Sequence, residues 1–345
     1  MLPFTARARI TPEALLRSRD PDQRLEALLA FACFAPSVHN SQPWRVLAHS
    51  PYQCTIFLEK RISLPRADPT GRGSYLALGA FVENFAQAAA CIGLELETTR
   101  TIAGDVYAIN ATLTPNAREP KAAAHEVLSV IRRRQTDRGI FRPLPDIPAV
   151  IHALHTDASA AHAALTFLHE PSQLAGLAEL IGEGTRLAYS DRAFCSEHAD
   201  WVRPNWTFRE DGIPGYAIGI NTPLSFLVPH AIRRKDLSSM RTTQELTKAR
   251  SANLFAVLGA APDTHEGWVE AGRRLERCLL AATRLGIAQS PNAAPIEMGH
   301  LQKEVQKLAG VEASPVLVIR FGLRTTDPPR PTPRRPVGSF LAWAT

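Results

Sequence analysis

The chain has 345 residues, 45% of them hydrophobic and 21% charged, with a net charge of +6 and a pI near 9.3. That length can bury one large core or two modest ones. The basic residues are scattered apart from Arg132–Arg134 and Arg334–Arg335, which argues against nucleic acid as a general partner and favours a small anionic ligand such as a phosphate.

The five cysteines are odd in number and no two lie at metal spacing, so reduced, buried thiols in a reducing compartment are expected. No apolar segment of signal-peptide character opens the sequence, and no run of 18 apolar residues occurs. A cytoplasmic protein with no membrane partner is the expectation.

In chain order, Asp20-Pro21-Asp22-Gln23 reads as a capped helix start, followed by apolar residues at helical spacing from Leu25 to Cys33 and a stop at Pro36. A dense polar cluster follows: His39, Asn40, Ser41 and Gln42, before Pro43 and Trp44. Such a cluster between apolar runs reads as a binding loop. Short strands are expected at Val46–Ala48 and Cys54–Leu58, around a turn at Ser50-Pro51. A long apolar helix is expected from Ser74 to Cys91, stopped by Gly93. Thr114 to Lys121 reads as a linker.

Further along, one helix ends in "IRRRQTDR", and others are expected at Pro148–His155 and Pro171–Leu187. Residues 195–248, with Trp201, Trp206, Tyr216 and several prolines, read as an inserted flap. A strand at Asn253–Leu258, a long helix at Trp268–Leu285 and a buried strand at Pro315–Phe321 follow. The proline-rich tail is expected to be extended.

The two long helices align without a gap at an offset of 193. Gly79 matches Gly272, Glu83 matches Glu276, Ala88-Ala89 match Ala281-Ala282, and Gly93 matches Gly286. Shared helical period alone does not place the glycines. A weak second copy of the polar loop can be read at Asp157–Leu168, where Ser159 stands for Ser37 but most of the polar chemistry is gone. The chain therefore reads as a fused pseudo-dimer that kept one of two symmetric sites.

"APSVHNSQPWR" resembles the A-P-S-x-x-N-x-Q-P-W signature of FMN-dependent nitroreductases. "RQTDR" at Arg134–Arg138 is similar to that family's R-x-[S/T]-x-[K/R], "PIEM" at Pro295–Met298 to its P-I-E-G, and "PRRP" at Pro333–Pro336 to its basic C-terminal motif. Length, "DGIPGYAIG" and the two-half arrangement are most similar to the bacterial Acg branch, whose single chains imitate the usual homodimer. The resemblance covers nearly the whole chain.

It implies an α+β, nitroreductase-like fold with mostly antiparallel sheets flanked by helices. Its halves would be residues 1–118 and residues 119–345, the second carrying the flap at about 195–248. It implies one FMN per chain, with loop and arginine motif contributed by different halves. Arg134, Thr136 and Arg334 or Arg335 would serve the phosphate. Arg138 would stabilise negative charge near flavin N1 and O2. Glu297-Met298 would offer a backbone N–H to N5, with Met where the family has Gly. Pro36, Ser37 and Asn40 would meet the flavin from the other half. Gln42 and Trp44 would hold the loop, and His39 is the weakest candidate for contact.

The catalytic candidates are thus Glu297, Met298 and Arg138. The expected activity is hydride transfer through flavin N5 to or from a small conjugated substrate, with NAD(P)H as a candidate donor. The competing readings are an FMN-sequestering protein with the flap as a lid, and oxygen-dependent flavin chemistry. A pseudo-dimeric monomer is expected, with further homodimerisation open. His152 and His155 lack a third ligand, so no metal is expected. "GRGSYLALG" lacks the third glycine of a dinucleotide fingerprint.

Overall fold

The computed structural model describes residues 10–103, 106–116, 123–156, 163–298, 300–328 and 330–345. The first half holds α1 (Pro12–Arg17), α2 (Pro21–Ala32), β1 (Trp44–Ser50), β2 (Gln53–Leu58), α3 (Arg72–Ala90), β3 (Leu94–Ala103) and β4 (Val106–Pro115). Next come α4 (Ala124–Arg133), β5 (Phe141–Arg142), α5 (Ile147–Thr156) and β6 (Ala163–Leu168). α6 (Pro171–Ser190) follows where a helix was expected. The segment read as a flap, 195–248, is mostly helical, running from within α7 (Arg192–Trp201) through β7 (Val202–Arg203), β8 (Ile213–Pro214), α8 (Thr222–Ser225) and α9 (Val228–Arg234) into α10 (Ser238–Arg250). The chain closes with β9 (Leu254–Ala260), α11 (His265–Arg284), β10 (Ala288–Asn292), α12 (Ala294–Glu297), α13 (Leu301–Ala309), β11 (Ser314–Arg324) and β12 (Leu341–Trp343).

The fold is α+β. One sheet has the order β12-β1-β2-β4-β3, the other β10-β11-β9-β6 with β5 on β11. Within these two sheets only the β1–β12 pair is parallel. Each sheet contains a first-second-fourth-third order of strands, β1-β2-β4-β3 and β6-β9-β11-β10. In each, one long helix joins the second strand to the third.

Those two helices, α3 and α11, cross at the glycines matched in the sequence. A Cβ on Gly79 would lie 1.9 Å from the Val269 carbonyl oxygen, and one on Gly272 would lie 2.1 Å from the Leu76 carbonyl oxygen. Only hydrogen fits at this crossing. The contact is reciprocal, because Val269 and Leu76 are themselves 193 residues apart.

The sequence reading of α2 matches the structure, with the Asp20 carboxylate accepting from the Gln23 N–H at 2.9 Å. Sequence reading missed the β3–β4 hairpin. Thr114, read as the start of a linker, pairs with Glu95 in that ladder. Residues 117–121 of that stretch lie outside the described residues, as do 157–162 of the second loop copy read at 157–168, whose remainder, 163–168, is β6. The tail is not wholly extended, since Val337–Ser339 forms a 3-10 turn before Leu341–Trp343 lies parallel to β1 at the edge of the first sheet. One core lies between that sheet and α2 and α3. β9 is buried along its whole length because α11 covers one face of the second sheet and α6 the other.

Candidate active site

The polar loop after α2 has an unusual backbone. His39, Asn40 and Gln42 take φ values of 51°, 56° and 53°, in the left-handed region that side chains with a Cβ disfavour. Hydrogen bonds from two distant segments hold it. Asn40 Nδ2 donates to the Gly212 carbonyl at 3.0 Å and the Pro333 carbonyl at 3.1 Å, while its Oδ1 accepts from Arg334 Nη1 at 2.8 Å. Gln42 Nε2 donates to the Glu210 carbonyl at 2.7 Å, and Gln42 Oε1 accepts from the Arg335 N–H at 2.9 Å. Ser37 Oγ accepts from the Gln42 N–H at 3.0 Å. Residues 210–212 and the proline-rich tail therefore clasp the loop. Trp44 begins β1, fully buried 4.9 Å from the Phe81 ring.

The loop forms one wall of a cavity of about 280 Å³, through Pro36, Ser37, Val38 and His39. Gly73, at the start of α3, lets Val38 approach: a Cβ there would meet Val38 Cγ2 at 2.5 Å. Asp68, Leu76 and Ala77 continue that wall. The second half supplies Thr136 and Arg138, Leu275 from α11, the 291–294 stretch, and Glu297-Met298. Ala188 of α6 and Phe194 of α7 complete it.

A narrower lobe of about 50 Å³ adjoins this cavity, sharing Pro36, Ser37, Thr136 and Arg138 with it. Its character is different, for Arg134, Arg330 and Arg334 join Arg138 there, with Asn40 and Thr332. Arg134 is buried, 3.4 Å from Glu276 Oε1, and its Nη2 donates to the Phe34 carbonyl at 2.9 Å. Burial pushes the Glu276 carboxyl up to about 7, with Arg134 opposing the shift. Burial, aided by Arg134, also lowers Arg334 to about 10. Arg330 lies over the Tyr216 ring at 4.8 Å.

Arg138 differs from these. It is partly buried, its basicity is lowered by burial, and it has no hydrogen bond or ion pair among the described residues. Arg335 does not line either lobe, and its guanidinium instead donates to the Ser41 and Gln42 carbonyls. Asn40 reaches the narrow lobe with its amide already engaged on both sides.

At the far end of the wide lobe sits Glu297, its side chain 6% exposed and 3.8 Å from Arg72 Nε. Burial pushes its carboxyl up to about 7, with Arg72 pulling the other way. The Glu297 N–H donates to the Ala293 carbonyl at 3.0 Å and so is engaged within α12. The Met298 N–H, next along, ends that helix without a backbone acceptor among the described residues.

The weakest sequence candidate, His39, faces the cavity. Its ring lies 4.7 Å from that of His198, and its Nε2 is buried without a hydrogen bond. Burial first, then Arg138, lowers it to about 4, so it is neutral near pH 7. Sequence reading missed Asp68, Arg330 and Phe194 at the site. Asp68 does carry a local signal, since it caps α3, but nothing local marks Phe194. Trp201, Trp206 and Tyr216 are absent from both lobes. No cluster of three metal-ligating side chains occurs among the described residues, and no helix there is long and apolar enough to cross a membrane.

Fold and site together define a mixed helix-and-sheet protein with a largely apolar cleft that ends in a cluster of arginines. No family model matches the chain. It is similar along nearly its whole length to curated proteins of Mycobacterium tuberculosis. One, named "Putative NAD(P)H nitroreductase", is 24% identical over 334 residues, covering 96% of this chain and 94% of the relative. Another, named "Putative NAD(P)H nitroreductase acg", is 27% identical over 318 residues, covering 91% and 93%. The structural neighbours include the FMN-dependent nitroreductase NfnB of Mycobacterium smegmatis in complex with NADPH. It shows 17% identity and a TM-score of 0.42, covering 64% of this chain and 99% of that one. A nitroreductase with bound FMN from Desulfitobacterium hafniense shows 15% identity and a TM-score of 0.40.

Proposed function

We propose that this chain is an FMN-dependent oxidoreductase of the nitroreductase kind, which passes hydride through flavin N5 to or from a small conjugated substrate. The observation that carries this is the two-lobed cavity: a wide apolar lobe leads into a narrow one lined by four arginines, and Arg138, with no hydrogen bond or ion pair among the described residues, stands where the lobes meet. A flat ring with a phosphate-bearing tail has this shape and polarity. The names of the full-length relatives support the same reading.

When bound, FMN supplies two-electron chemistry. Arg134, Thr136 and Arg334 hold the phosphate end, where forked donors suit its oxygens. Arg138 offers a positive charge to the electron-rich edge of the ring, which gains negative charge on reduction. The Met298 N–H is the backbone donor available beside the ring, since that of Glu297 is engaged. Pro36, Ser37 and Val38 pack against the ring from the loop. Arg335 and Asn40 keep the strained loop in place. We read the repeated strand order and the paired glycines as two fused halves, residues 1–118 and residues 119–345, sharing one composite site.

A second reading has its own support. Phe194 of α7, just before the segment read as a flap, lines the cavity, and residues 210–212 within that segment are hydrogen-bonded onto the loop. A protein that holds FMN with little NAD(P)H turnover would be built this way. The purified protein should be yellow, and anaerobic NADPH or NADH should bleach it within seconds. A colourless protein that takes up no FMN refutes both readings. Colour that survives both nucleotides but not dithionite selects the second.

A further inference from the structure

The wide lobe carries three ionisable groups besides Arg138: His39, Asp68 and Glu297. Reducing a nitro or quinone group by two electrons needs a proton as well as a hydride. Asp68 cannot readily supply it, because its oxygens are engaged: Oδ1 accepts from the Gly73 N–H, and Oδ2 from the Ser74 N–H and Oγ–H, at 2.7–2.8 Å. His39 is neutral near pH 7, with Arg138 resisting its protonation.

Glu297 is different. Its carboxyl is on the cavity wall, nearly buried, and accepts no hydrogen bond among the described residues. Arg72 is the nearest cation, at 3.8 Å, beyond hydrogen-bond reach, and Arg72 also lies over the Trp268 ring at 5.7 Å. Asp68 and Asp263 are the other charges acting on it, and both disfavour its ionised form. A cavity-facing acid held between one offset cation and two carboxylates can exist in either form near neutral pH.

We propose that the Glu297 side chain is the proton donor to the oxygen of a nitro or quinone acceptor in this cavity. This rests on the oxidoreductase reading, which supplies the hydride. For a quinone, hydride and the Glu297 proton together give the hydroquinone. For a nitro group they give the nitroso compound and water as one N–O bond breaks. In each case an acceptor O–H bond forms as the Glu297 O–H bond breaks. The carboxylate left beside Arg72 regains its proton from water. Raised carboxyl groups of this kind act as general acids elsewhere.

The test compares wild type with Glu297→Gln and Glu297→Ala. In cofactor-free protein, infrared titration of wild type minus Glu297→Gln should show a protonated carboxyl C=O band that disappears with a midpoint near pH 7, the Glu276 carboxyl being common to both and cancelling. In FMN-loaded protein, quinone turnover by Glu297→Gln should fall by about 10²–10⁴-fold and lose its decline above that pH. Acetate should restore turnover to Glu297→Ala. Wild-type turnover or pH profile in Glu297→Gln, or no such difference band, overturns the proposal. A protein that takes up no FMN refutes the oxidoreductase reading instead, and the infrared titration still reports on Glu297.

Discussion

Replacing Arg138 with alanine tests the cavity's electrostatics most directly. In the protein alone this guanidinium is partly buried with no hydrogen bond or ion pair among the described residues, and burial lowers its basicity. Removing it deletes no described contact and relieves the cost of burying a charge. The melting temperature of the FMN-free protein should therefore stay the same or rise. With FMN bound, the same guanidinium makes charge-assisted contacts, and a hydrogen bond to a charged group contributes about 1.5–3 kcal/mol. That corresponds to a Kd raised about 10- to 150-fold. The flavin midpoint potential should fall as well, because the reduced, more negative form loses its neighbouring cation. Fluorescence titration gives the affinity, and a dye-coupled redox titration gives the potential. An unchanged affinity and potential would refute the assignment. So would a clear drop in the stability of the FMN-free protein, since that would show Arg138 holding the fold.

Two other predictions concern stability. Gly79→Ala places a methyl against the Val269 carbonyl at 1.9 Å, a backbone contact that no rotamer change relieves. It should destabilise by about 2–3 kcal/mol despite about 1 kcal/mol gained in helix propensity, and an unchanged thermal melt would refute the close crossing of α3 and α11. Acidification should also weaken the fold. Burial lowers His39 to about 4 in the folded chain against the usual 6.5 of a histidine, so between those values the unfolded chain binds more protons and stability falls as pH drops. From pH 7 to pH 5 the loss is at most about 2 kcal/mol for this histidine. Urea melts should show a flatter pH dependence for His39→Asn, which tolerates the left-handed backbone; an identical slope would count against the buried neutral ring.

The parts of the fold legible in the sequence are those coded by local pattern. Asp20 and Gln23 mark the start of α2 because a cap acts within one turn. Gly79 and Gly272 betray the helix crossing because close backbone approach excludes any other residue. The loop from Pro36 to Gln42 announces itself by composition. The β3–β4 hairpin escaped because its alternation is irregular, and the helices of the inserted segment because proline and aromatic residues obscure their period.

At the site, residue types were readable from the sequence and their employment was not. Arg334 and Arg335 are neighbours of the same chemistry. The tail's path turns one toward the arginine-lined lobe and ties the other to the loop carbonyls. His39 looked dispensable because nothing nearby in the sequence explains it. Its burial comes from His198, 159 residues away on the inserted segment. Glu297 belonged to a recognisable motif, yet its altered acidity depends on Arg72, Asp68 and Asp263 from other elements. By itself the sequence determined which groups the site owns, since motifs and caps are short-range. Which of those groups face the cavity, and in what state of charge, was decided by tertiary structure, because burial and the distance to other charges are properties of the folded chain.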